Sequence, residues 1–201
     1  MWKKIGLSVL GFVAIGAASF GWFYSLIDKS AALHNLEAST PQDVAYLQER
    51  VSEDRGRVLM VVTSETRLGD TGKTTGYEHT ELARAYYVFT TNGFEVDIAS
   101  PRGGEPRAII DDEDMGAVDF AFLNDPIAMS KARNTLPIDS IDSADYEGLF
   151  FVGGKGTMWD FPDNAAMQQL VSDHAMRGKS VGAGCHGPAA LVNVQLPDGS
   201  Y

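Results

Sequence analysis

The chain has 201 residues, 44% hydrophobic and 10% aromatic, enough for one sizeable core and one globular domain. Its formal net charge of −11 argues against nucleic acid as a partner. A single cysteine, Cys185, excludes an internal disulfide framework, and no Cys/His cluster has metal-ligand spacing.

Lys3 and Lys4 precede an uncharged run from Ile5 to Ile27. As a helix this run would span roughly 35 Å, against a hydrocarbon core of about 30 Å. Trp2, Trp22, Phe23 and Tyr24 lie near its ends, where interfacial aromatics belong. The pattern predicts an N-terminal transmembrane helix over 1–27, uncleaved rather than a signal peptide. The lysines put the N-terminus in the cytoplasm and the rest of the chain beyond the membrane, in the periplasm of a Gram-negative cell.

Residues 28–56 read as a polar linker. Within it, Thr40-Pro41 starts a short amphipathic helix with Val44, Leu47 and Val51 on one face. Arg57–Thr63 is a continuous apolar run, as expected of a parallel strand buried on both faces. The Gly72-Lys-Thr beyond it lacks the glycine a phosphate loop needs at position 67, where Arg67 stands. A helix is predicted over 77–92, ended by Gly93, with Glu78 and Glu81 in its first turns. Taken alone, both carboxylates read as compensation for the helix dipole. A second strand runs over 93–100. An acidic excursion over 105–145 holds short helices near Phe120 and Met129.

A third strand, Gly148–Val152, runs into Gly153-Gly154-Lys155-Gly156. Glycines at a strand's C-terminal end let backbone N–H groups face a ligand, so Gly153 and Gly154 are candidate oxyanion donors. Residues 163–177 form the next helix. His174 on that helix is assigned no chemistry. A fourth strand from Ser180 leads to Cys185-His186-Gly187-Pro188 and a helix-forming run. Strand, tight turn and helix, with a thiol on the turn beside an imidazole, is the pattern of an activated nucleophile, its pKa expected to be lowered. Strands alternating with helices predict an α/β fold, a doubly wound parallel sheet that binds ligands at the C-terminal strand ends.

Ala183-Gly-Cys-His-Gly-Pro-Ala-Ala-Leu-Val-Asn193, Leu196–Tyr201, Ser100-Pro-x-Gly-Gly104 and the Gly153–Pro162 loop carry a resemblance. The sequence from 57 to 201 resembles the ThiJ/PfpI superfamily, in the branch of glutathione-independent glyoxalases and related heat-shock chaperones. The resemblance implies a flavodoxin-like, class I glutamine amidotransferase-like fold, C-terminally incomplete. The acid that orients His186 would then lie beyond residue 201. It implies that Glu81 joins Cys185 and His186 as a catalytic residue, and that Lys155, where a histidine is common, joins Gly153 and Gly154 as an oxyanion- or substrate-binding residue whose cation favours the thiolate. The segment Glu78-His79-Thr80 departs from a more apolar family pattern, which alters the pocket wall.

The implied activity is conversion of 2-oxoaldehydes such as methylglyoxal to 2-hydroxy acids, a glyoxalase III or D-lactate dehydratase lyase, or a related deglycation. It needs no cofactor and no metal, takes a small aldehyde as partner, and allows a homodimer. A membrane-tethered holding chaperone and an amidohydrolase or peptidase stay open on the same fold.

Overall fold

The computed structural model describes residues 36–199, with Ser19 and Trp22. Leu36–Tyr201 is one compact unit. Five strands form a parallel sheet within it: β1 (Arg57–Val61), β3 (Glu95–Ser100), β5 (Leu136–Pro137), β6 (Gly148–Phe151) and β7 (Ser180–Ala183). Their order is β5-β3-β1-β6-β7. In the central register Met60 lies between Ile98 on β3 and Phe150 on β6. A separate pair, β2 (Tyr77–Glu78) and β4 (Ala108–Ile109), is also parallel.

Alternation along β1 divides the core into two layers. Val58, Met60 and Val62 face one cluster, which includes Leu82 and Tyr86 of helix α1 (His79–Thr91) and Phe122 of α2 (Ala117–Leu123). Ala128 and Ala132 of α3 (Pro126–Arg133) join it. Leu59 and Val61 face the other, with Phe161 and with Met167, Leu170 and Val171 of α5 (Ala165–Met176). Period-two side chains buried on both faces are what a central parallel strand requires. The expected doubly wound, flavodoxin-like sheet is therefore present, and its four principal strands are those the apolar runs mark.

The fold differs from expectation in three places. Residues 41–48 form two 3-10 turns, Pro41–Asp43 and Ala45–Gln48, instead of an amphipathic α-helix. Asp43 closes the first turn by accepting from Thr40 N–H at 2.8 Å and Thr40 Oγ1 at 2.7 Å. Val44 between the turns is extended, which lets it and Leu47 enter the α1 layer. The run after Cys185 is likewise a 3-10 turn, Gly187–Leu191, helped by Pro188 in its first turn.

The third correction concerns the membrane. The span expected over residues 5–27 lies outside the described residues apart from Ser19 and Trp22. Among the described residues no helix is long and apolar enough to cross a membrane. The longest of them, the 13-residue α1, covers only about 20 Å. The transmembrane part of the fold class and the single-pass location beyond the membrane do not stand against this finding.

Candidate active site

The site forms where β6 and β7 end and α1 begins. After β7, Gly187 N–H donates to Gly184 O at 2.6 Å, closing a tight turn around Cys185 and His186. Cys185 takes φ 47 there, alone among the described non-glycine residues in having positive φ. Such a backbone costs about 1–3 kcal/mol and persists only where its surroundings enforce it. Gly187 is one enforcing contact, since a Cβ on it would collide with the Phe151 carbonyl.

Four groups face the sulfur. His186 Nδ1 lies 3.0 Å from Cys185 Sγ. The Glu81 carboxyl and the backbone amides of His186 and Gly154 also act on the thiol, the acid against its ionised form and the amides in favour of it. Glu81 is held in turn by Gly153 N–H, which donates to its Oε2 at 2.9 Å. A Cβ on Gly153 would fall 2.5 Å from Glu81 Oε2 and 2.7 Å from Cys185 Cβ, so only glycine fits between acid and thiol. Residues either side of Glu81 dock α1 onto α2. His79 Nε2 lies 2.9 Å from Asp119 O, and Arg84 donates to both carboxylate oxygens of buried Asp119.

Cys185 remains open to solvent. Its thiol pKa is nevertheless raised, first by burial of the sulfur, then by the charge of Glu81 and the hydrogen bond to it. The two amides pull the other way and do not prevail. The depressed thiol expected from the sequence is thus corrected in sign. The turn after Cys185 is too short and tight to supply a helix dipole, and an acid from α1 outweighs the amide donors. Glu78, half-buried next to the site, is also raised, by burial and by Glu81.

The structure brings together Cys185, His186, Glu81, Gly153 and Gly154. It assigns Gly153 differently from the expectation: its N–H is taken by Glu81, while Gly154, at φ 113, and His186 are the amides on sulfur. Lys155 is exposed, and its charge acts on Glu78. His174 is buried with Nδ1 3.1 Å from Ser143 Oγ, a core contact away from this turn.

Sequence reasoning passed over the short helix α4 (Thr157–Asp160) on the far side of the glycine loop. Asp160 accepts from Thr63 Oγ1 at 2.8 Å and from Ser64 N–H at 2.7 Å, tying α4 to the end of β1. Burial pushes its pKa up to about 6 against the pull of those two bonds. The Thr157 hydroxyl lies 2.9 Å from Gly154 O and 3.0 Å from His186 O. Trp159, about half exposed, covers Gly69, where a Cβ would sit 2.8 Å from the indole nitrogen. The available signal was a threonine and an aspartate bracketing the first turn after a glycine loop, which by itself reads as ordinary capping.

Comparison with known proteins gives a consistent relationship. The sequence profile of the DJ-1/PfpI family matches residues 73–200. Glyoxalase 3 of Candida albicans is 30% identical over 150 residues, 70% of this chain and 62% of that protein. A glutathione-independent glyoxalase of Schizosaccharomyces pombe, hsp3102, is 31% identical over 63% of this chain and 54% of its own length. Among solved structures, the rapid encystment protein of 24 kDa from Francisella tularensis superposes with a TM-score of 0.67 at 35% identity. The match covers 72% of this chain and 64% of that one. Glyoxalase III from Candida albicans gives 0.62 at 28% identity over 71% of this chain and 62% of that one. The chain thus spans less than two thirds of the length of these relatives.

Proposed function

The chain belongs to the DJ-1/PfpI family, and on that premise we propose that it converts 2-oxoaldehydes such as methylglyoxal to 2-hydroxy acids without glutathione, with Cys185 as the nucleophile. One observation carries this reading. A solvent-open thiol, on a strained turn, touches an imidazole nitrogen, a carboxyl group and two backbone amides at once. A buried structural cysteine has no use for that set.

In the proposed sequence His186 Nδ1 takes the thiol proton as sulfur attacks the aldehyde carbon. The C–S bond forms and the aldehyde oxygen becomes the hemithioacetal oxygen, which the Gly154 and His186 amides are poised to hold. Glu81 removes the proton from that carbon and returns it to the neighbouring carbonyl carbon through an enediolate. The result is a thioester of a 2-hydroxy acid. Water then breaks the C–S bond, releasing the acid and restoring the thiol. The sum is aldehyde plus water to hydroxy acid, with one carbon oxidised and its neighbour reduced. No external electron carrier enters.

A raised thiol pKa fits this order, because the sulfur is deprotonated as it attacks instead of standing ionised beside Glu81. The test is lactate formation from methylglyoxal by the intact chain without glutathione. Activity is expected in the parent and not in Cys185→Ser. A parent that makes no lactate, or a serine variant that makes as much as the parent, sinks the reading.

A further inference from the structure

Helix α4 has four residues, yet it is tied to the ends of three strands. Asp160 reaches the end of β1, and Thr157 reaches Gly154 after β6 and His186 after β7. The Thr157 side chain is fully buried. A hydroxyl has one proton to give. Gly154 O at 2.9 Å and His186 O at 3.0 Å both lie within its reach, so the one proton is shared between the two carbonyls. The other donor to His186 O is Ala189 N–H, a bond internal to the turn. The hydroxyl therefore joins two segments that share no strand: the turn bearing the thiol and the loop bearing the Gly154 amide.

We propose that Thr157 is the positioning residue of the cysteine turn: its hydroxyl latches His186 to the glycine loop and so keeps the His186 and Gly154 amides on the Cys185 sulfur. The need for a latch comes from the backbone. At φ 47 Cys185 has every reason to relax, and a relaxed turn carries the His186 amide away from the sulfur. Both amides favour the thiolate, so their loss moves the thiol further up. This inference rests on the reading of Cys185 as the reactive group and is independent of which aldehyde it meets.

Because Cys185 is the sole cysteine, iodoacetamide reads its titration without any substrate. The intact chain, Thr157→Val and Thr157→Ser are to be alkylated across pH, with folding checked by circular dichroism. The valine variant keeps the shape and removes the hydroxyl. Its midpoint is expected to rise by about one unit, with alkylation at neutral pH slowed about tenfold. Serine restores the hydroxyl, and with it the parental midpoint. A valine variant that titrates like the parent overturns the proposal, and so does a serine variant that titrates like valine. Should valine not fold, Thr157→Ala carries the same comparison with serine. Failure of lactate formation in a parent whose midpoint depends on Thr157 would sink the aldehyde reading and leave the latch standing.

Discussion

The two turns that build the site are made in opposite ways. The loop after β6 is fixed by many bonds: Gly153 N–H on Glu81, Thr157 N–H on Gly154 O, and Asp160 on Thr63 and Ser64. The turn after β7 is strained at Cys185, is followed only by a 3-10 turn, and draws its support from neighbours. The first is a preorganised frame, while the second holds the proposed nucleophile and depends on that frame. Such a division keeps rigidity where charge must be held and leaves the thiol open to solvent.

Breaking the reactive side should have the largest effect. Cys185→Ser is expected to lower the rate of lactate formation by at least about a thousandfold, with little change in thermal midpoint, since the residue is exposed. Glu81→Gln removes the acid yet keeps its size. We expect a loss of about a hundredfold or more, with the Cys185 alkylation midpoint falling as the charge that raises it disappears. A midpoint that stayed or rose would reverse the electrostatic account.

Attacking the frame comes next. Gly153→Ala puts a methyl group 2.5 Å from Glu81 Oε2 and 2.7 Å from Cys185 Cβ. Activity should drop about tenfold or more, with stability reduced by about 1–3 kcal/mol in urea melts. Wild-type rates in this variant would mean that acid and thiol are not held by the loop.

Asp160 sharpens the contrast through pH. Its folded pKa of about 6 lies above the ordinary carboxylate value, so the folded state binds the extra proton. The stability this supplies is complete below about pH 4 and is lost as pH rises through about 6. Denaturant melts should show that decline, worth up to about 3 kcal/mol, and Asp160→Asn should flatten it. The smallest effect is expected at exposed Lys155, where alanine should change the Cys185 midpoint by no more than about 0.3 unit.

How far these features were legible depends on the range of the forces that make them. β1 was readable as a continuous apolar run buried on both faces, β3 by the alternation of Phe94, Val96 and Ile98, and β6 and β7 as short apolar runs that lead into glycine-bearing turns. β5 was not: Leu136 and Pro137 are exposed and form a strand only by lying beside Ala99 and Ser100. The same holds for β2 and β4, two residues each, defined by one another. Cys185, His186 and the glycine loop stood out locally, and Glu81 only through resemblance, since α1 alone offers a dipole explanation. The sign of the thiol shift was lost for a related reason. It depends on an acid brought in from a distant stretch of chain, while the neighbouring sequence advertises only donors.

Trp159 gives the molecule a built-in optical reporter. From residue 28 to 201 it is the sole tryptophan, and it sits half in water on the helix that ties the three strand ends together. With Trp2 and Trp22 replaced by phenylalanine, the remaining indole emission should register any shift of that helix against the Gly69 segment it covers, without any label attached to the thiol.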